Sequence, residues 1–369
     1  MPAQHLLEKL RSLLPTFRGP IQLRSLNDEA LRQLITDQIT VFPAAKIRVH
    51  HSTAQPTSFA YEFQEKKAFV LHNVQVWPSL GAASTLQGEV IQETAFNDVR
   101  LKKIVTWKGL NRKSLSANTG VFTSIEAGTW WDNHYHWLID SVPRLYALHS
   151  PIISKIPTIT LLHFGAISQP QSEVYKALLP ANVVVQETKE SRPVRVGTFI
   201  ALPYLSGDCA GFLPSEYLQF FRKRIFERYG IADNSERAEL IYISRKRATK
   251  RKFTNEENLI ERLAVLGFKP YELEQMTFQH QVELFSRAKC VVGQHGAGLT
   301  NLIFGGRCKV IEIHAGRILN HYRLLAAALG QEYGSLLIHN AEKDRSTEAP
   351  IEELLRKCER MKVSGHLDG

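Results

Sequence analysis

The chain has 369 residues, 44% of them hydrophobic, with a formal net charge of +10 and a pI near 9.4. That length suits two domains of ordinary size with packed cores, and no uncharged apolar stretch reaches the roughly 18 residues that a membrane span requires. The basic excess favours anionic partners: nucleotides, anionic lipid surfaces, acidic glycans or nucleic acid.

Leu6, Leu7, Leu10, Leu13 and Leu14 fall at helical spacing and predict a packing helix over residues 4 to 14 that stops before Pro15. Glu8, Lys9 and Arg11 interrupt its apolar face, unlike a secretory signal, so a cytoplasmic protein is expected. Residues 67 to 106 read as an antiparallel elaboration. Its strands are Ala68–Leu71, Val74–Trp77 and Glu89–Ile91, separated by Pro78, Gly81 and Gly88.

The composition changes at Trp130-Trp131-Asp132-Asn133-His134-Tyr135-His136-Trp137-Leu138-Ile139-Asp140. A helix starting at Asn133 places Asp132, His136 and Asp140 on one stripe, four residues apart. Titratable groups among aromatic rings suit a cleft wall, where desolvation tunes a general base. The plainer alternative makes Asp132 an N-cap and His136 a hydrogen-bonded core histidine. A metal site is disfavoured, because His134 and His136 point about 200° apart on a helix. The cysteines, Cys209, Cys290, Cys308 and Cys358, form no close pair, so neither a disulfide framework nor a zinc site is expected.

From residue 151 strands and helices alternate, which predicts parallel strands with crossover helices. The first set is strand 158–162, helix 171–179, and strands 182–185 and 196–202. Gly207 to Gly211 reads as a joint. A second doubly wound sheet follows: helix 214–229, strand 240–243, helix 255–266, strand 269–272, helix 278–288, strand 290–292, helix 298–304, strand 309–313 and helix 321–329. Residues 341 to 349 look like a linker, and Ile351, Leu354, Leu355 and Cys358 mark a last helix expected to pack back on the first domain.

In such sheets ligands collect outside the carboxyl ends of the strands. Three clusters sit there: Ser244-Arg245, the turn Gln294-His295-Gly296-Ala297-Gly298, and Glu312-Ile313-His314. A strand opening into a helix through glycines suits phosphate, although such turns also serve as plain connections. Arg245-Lys246-Arg247 and Lys250-Arg251-Lys252 put six cations in eight positions, which is either a solvated face or an anion ligand.

Taken together, the motifs resemble the family 61 glycosyltransferases. The likeness rests on Tyr135-His136-Trp137-Leu138-Ile139-Asp140-Ser141-Val142-Pro143-Arg144-Leu145 and on Ile243-Ser244-Arg245 with Ala248, Arg251, Asn255 and Glu256. It extends to Gln281, Phe285 and Ala288 leading into His295-Gly296-Ala297-Gly298-Leu299-Thr300-Asn301. The resemblance spans roughly residues 68 to 316. It implies an α/β GT-B fold, two Rossmann-like doubly wound domains facing a cleft. Residues 1–210 would form the acceptor side and 211–340 the nucleotide-sugar domain, with 341–369 as linker and final helix.

The resemblance also implies inversion at the sugar carbon without an essential metal, in accord with the absence of an Asp-x-Asp motif. Asp140 is then the first choice for general base, with His136 orienting it or acting as the base itself. Arg245, Arg251, His295, Gly296, Ala297, Gly298, Thr300 and Asn301 would hold the diphosphate, and Glu312 the ribose, unless Glu312 is a buried or capping carboxylate. Lys252 departs from the Arg-Arg pair common in the family and is the weaker phosphate ligand. The expected donor is a nucleoside diphosphate sugar, uridine-linked, with no other cofactor. The expected acceptor is a glycan, polysaccharide or lipid-linked glycan at the inner face of a membrane. The alternative is a non-catalytic binder of acidic glycan or nucleic acid. Only Phe253 flanks the basic cluster, too few aromatics to stack bases, so no nucleic-acid partner is expected.

Overall fold

The computed structural model describes residues 23–49, 59–95, 115–126, 133–189, 192–206, 211–233, 236–248, 250–339 and 346–363. The expected helix over 4–14, residues Trp130 to Asp132 and most of the Gly207–Gly211 joint lie outside them. The chain divides into two compact units. One comprises residues 1–44, 64–172 and 179–204, the other 45–63, 173–178 and 205–369.

The first unit holds strands β1 (Leu23–Arg24) and β2 (Ile35–Phe42). After the β3–β4 hairpin of the second unit (Ala45–Val49, Phe59–Phe63) come β5 (Lys66–Trp77), β6 (Ala82–Ser84), β7 (Val90–Ile91) and β8 (Leu115–Ser124). Next are β9 (Ile159–Phe164), β10 (Val183–Thr188) and β11 (Val194–Ala201); helix α1 (Gln169–Leu178), between β9 and β10, is divided, with residues 173–178 counted in the second unit. The sheet order is β1-β7-β6-β5-β11-β8-β9-β10, with β2 also paired to β5. Strands β11, β8, β9 and β10 run parallel, whereas β5 pairs antiparallel with β11, β6 and β2.

The antiparallel elaboration and the first alternating set expected from the sequence therefore share one sheet. The two strands predicted on either side of Asn73 are one strand, β5. Asn73 adopts a positive φ of 52° within it, a conformation that asparagine tolerates better than most residues. Leu71, Val74, Val76, Ile91, Phe122, Val196 and Phe199 form the core on this sheet. Burying each such side chain stabilises by roughly 1.5–3 kcal/mol.

The second unit continues with α2 (Ser215–Tyr229), β12 (Glu239–Ile243), α3 (Glu256–Val265), β13 (Lys269–Tyr271) and α4 (Phe278–Ser286). Then come β14 (Ala288–Gln294), β15 (Lys309–Ala315), α5 (His321–Ala328), β16 (Glu332–Ile338) and α6 (Ile351–Arg360). Helix α2 ends on Gly230 at φ 65°, a left-handed cap that glycine adopts without strain. The sheet order is β13-β12-β14-β15-β16, all parallel. The direction of winding reverses between β12 and β14, so the loops after those two strands diverge and leave a crevice.

Leu240, Tyr242, Cys290, Val292, Ile311 and Ile313 pack on one face of this sheet with Leu259 and Leu263 of α3 and Leu354 and Cys358 of α6. The final helix thus lies in the second unit's core, not on the first domain as the sequence had led us to expect. Gly334 of β16 leaves room for it, since a Cβ there would stand 2.7 Å from Lys357 Cε and 2.9 Å from Met361 Sδ. Period-2 alternation turns Ile241, Val291 and Val310 to the other face. In the same unit Phe304 packs against Phe221 and Phe278, with ring centroids 5.8 and 5.6 Å apart.

Candidate active site

In the first unit the segment after Asn133 is helical but not regular. Asn133 caps it, its side chain accepting from the N–H groups of Tyr135 and His136. One α-turn (His134–His136) widens into a π-turn (Trp137–Ser141) and then tightens to a 3₁₀ run (Val142–His149). Pro143 has no N–H to donate, so an uninterrupted α-helix would lose a bond there. Arg144, fully buried, anchors the segment. Its Nε and Nη2 donate to the Leu202 carbonyl at 3.1 and 2.9 Å, and its Nη1 to the Glu126 carbonyl at 2.9 Å. Its guanidinium lies 4.0 Å over the Tyr204 ring.

On this frame His136 Nδ1 meets Asp140 Oδ2 at 2.7 Å. The Asp140 side chain is 1% exposed and that of His136 22%, so the imidazole is the reachable member of the pair. A buried carboxylate on Nδ1 fixes the tautomer and turns Nε2 into the acceptor, the arrangement of a general base with its orienting acid. Nearby, burial pushes the Glu126 carboxyl up to about 7, against the pull of the Phe164 N–H and of Arg144.

In the second unit the three expected clusters meet. After β12, the Arg245 backbone N–H and the Tyr242 hydroxyl both donate to Glu256 Oε1, at 3.0 and 2.8 Å. The Arg245 side chain turns onto the next loop, with Nε donating to the Arg251 carbonyl and Nη2 to that of Lys250. Its Nη1 would lie 2.5 Å from a Cβ at position 296, so a glycine is needed there to admit the guanidinium. A Cβ at position 298 would likewise stand 3.1 Å from Ile243 Cγ2 and from Leu273 Cδ1. Ala297 is exposed, and Ala297–Phe304 is a 3₁₀ helix. Thr300 and Asn301 are buried, and Asn301 Nδ2 donates to Gln281 Oε1 on α4 at 2.8 Å.

Arg251 holds a left-handed φ of 58° and donates from Nη1 to the His295 carbonyl at 3.1 Å. Arg251, Gln294 and His295 line a cleft with Ala315, at the end of β15, and with Arg317 and Leu319, which follow it. The sequence reading missed Arg317. The same rule, that loops after parallel strands gather around the ligand, points to it. Lys246 and Arg247, by contrast, face carboxylates, Glu257 at 3.5 Å and Glu272 at 2.6 Å.

Behind the cleft, His295 Nδ1 lies 2.5 Å from Glu312 Oε1, and the Tyr333 hydroxyl donates to Glu312 Oε2 at 2.6 Å. Glu312 is fully buried. Burial pushes its carboxyl up to about 7, while His314 and the Tyr333 hydrogen bond pull it down. His314 is itself lowered by burial. The ligand atoms of His295, Glu312 and His314 all lie within 4.8 Å, near enough on distance alone to converge on an ion. An ion held about 2.0–2.2 Å from each ligand would keep them roughly 3 Å apart. At 2.5 Å, Nδ1 and Oε1 are at hydrogen-bond distance.

A parallel α/β unit with arginines beside a cleft at the carboxyl ends of its strands, near the reversal of winding, has the architecture in which ligands gather at that crevice. Residues 134–311 match the family model described as Glycosyltransferase 61, so this stretch is a domain of that family and the protein a glycosyltransferase. A comparison with curated proteins gives no match. Among the described residues no helix is long and apolar enough to cross a membrane.

Proposed function

We propose that the protein is an inverting, metal-independent glycosyltransferase of GT-B type. It would move a sugar from a nucleoside diphosphate sugar, uridine-linked, to a glycan, polysaccharide or lipid-linked acceptor on the cytoplasmic side of a membrane. The first domain carries the acceptor and the second the donor. Arg251, His295 and Arg317 around one cleft, in a chain with a family 61 domain, are the observation that carries the donor site.

His136 Nε2 takes the proton of the acceptor hydroxyl while Asp140 holds the ring. The acceptor oxygen bonds to C1 of the sugar, the bond from C1 to the diphosphate oxygen breaks, and its electron pair leaves with the diphosphate. Arg251, Arg317 and the N–H groups at the head of the 297–304 helix stabilise the charge that grows there. Arg245 positions the loop that brings Arg251 to the turn. The ion pairs of Lys246 and Arg247 reduce the basic cluster's appeal to a polyanion, which weakens the alternative of a non-catalytic binder.

Purified protein screened against a panel of nucleotide sugars for slow donor hydrolysis tests this reading. One donor, or a few sharing a base, should be hydrolysed with and without a chelator. A flat response across the panel would remove the transferase site, and complete loss in chelator restored by manganese would remove the metal-free mechanism.

A further inference from the structure

We propose that the His295–Glu312 pair is the donor-side acid of the reaction, passing a proton from His295 Nε2 to the diphosphate oxygen as the bond from C1 breaks. This rests on the donor site proposed above.

His295 Nδ1 and Glu312 Oε1 lie 2.5 Å apart, a hydrogen-bond contact that takes one proton between the two atoms. If the pair carries a second proton, that one sits on Nε2, whichever heavy atom owns the first. The pair is then neutral overall, as imidazolium–carboxylate or as imidazole–carboxylic acid. If it carries only one, Nε2 presents a lone pair to an anion. Glu312, pushed up to about 7 by burial, keeps the second proton in place to near-neutral pH.

The groups packed around the pair favour this state. The Tyr333 hydroxyl, pushed far up by burial, keeps its hydrogen and donates it to Oε2. His314, lowered by burial, stays neutral and does not compete for the proton. The rings of His321 and Tyr322 lie 5.8 and 5.3 Å from that of His295. Arg251, bonded to the His295 carbonyl, and Arg317, across the cleft, oppose an isolated imidazolium. With Glu312 behind it, the ring keeps an Nε2 hydrogen at no cost in net charge. Two arginines attract the diphosphate but do not protonate it at neutral pH; His295 does.

The step balances. The electron pair of the breaking bond goes to the diphosphate oxygen, which takes the Nε2 proton. The pair becomes a monoanion and regains a proton from water after product leaves, while the acceptor's proton departs through His136.

The test compares pH profiles of donor hydrolysis for wild type, Glu312→Gln and His295→Gln, alongside calorimetric binding of inorganic pyrophosphate. Wild-type hydrolysis should fall as pH rises above about 7. Glutamine is near-isosteric with Glu312 and adds no charge. With Glu312→Gln, the falling limb should move at least one pH unit lower, and the rate at pH 7.5 should drop ~10- to 100-fold. His295→Gln, on the cleft wall, should abolish the limb and carries the test if the buried variant does not fold. An unmoved limb in both variants, or zinc or manganese restoring a chelated enzyme, overturns the proposal. Pyrophosphate that fails to bind wild type removes the donor site itself. Pyrophosphate bound alongside an unmoved limb removes only the acid.

Discussion

His136–Asp140 in the first unit and His295–Glu312 in the second join the same two kinds of group at nearly the same distance, 2.7 and 2.5 Å. The first pair is local, four residues apart on one helical segment, and its imidazole is part-exposed. The second joins residues 17 apart through neighbouring strands: Gly293 pairs with Glu312, so His295, two positions on, turns back over the carboxyl. Its carboxyl is 0% exposed and raised to about 7. The difference teaches that a histidine–carboxylate contact does not by itself name a role. A pair that holds a tautomer offers a lone pair and suits a base, whereas one that retains two protons offers a hydrogen and suits an acid.

The largest expected effect breaks the first pair. Asp140→Asn should leave His136 in the wrong tautomer and lower transfer by ~10³-fold or more, read as turnover with acceptor present. Turnover within a few-fold of wild type would remove the base assignment. Next comes the donor cleft. Arg317→Ala and Arg251→Gln should each weaken pyrophosphate binding by roughly tenfold in calorimetry, and unchanged affinity in both would place the anion elsewhere.

The sheet of the second unit was legible because buried parallel strands read as continuous apolar runs, as in Val291-Val292 and Val310-Ile311. Strand β16 was not. It begins Glu332-Tyr333-Gly334, and Gly334 makes sense only once Lys357 and Met361 lie over it. The site residues were legible as types and positions, but their contacts were not. The spacing of His136 and Asp140 announced their pairing, whereas Glu312 looked like a ribose ligand until the strand register joined it to His295. Likewise Gly296 looked like a phosphate cradle, and the structure fills its missing side chain with Arg245.

Two smaller effects sharpen the comparison through stability. Gly296→Ala would push its Cβ onto the Arg245 guanidinium and should cost about 1–3 kcal/mol in urea unfolding. A cost below ~0.5 kcal/mol would mean that Arg245 is not held there. The second effect follows from pH. Glu126 and Glu312 are both raised from 4.5 to about 7 by burial, so the folded chain keeps protons that the unfolded chain releases. Stability should therefore be greatest at low pH within the folded range and fall as pH rises from about 4.5 to about 7, by up to about 3 kcal/mol per carboxyl. Glu126→Gln should flatten part of that fall, and a urea midpoint rising over the same window would contradict the burial account.

The division of labour between the pairs is tested most directly by calorimetric titration of Asp140→Asn and His295→Ala with uridine diphosphate. Wild-type affinity for Asp140→Asn, with a loss of roughly tenfold or more for His295→Ala, is the expected result. Weakened binding by Asp140→Asn together with unaltered binding by His295→Ala would contradict it.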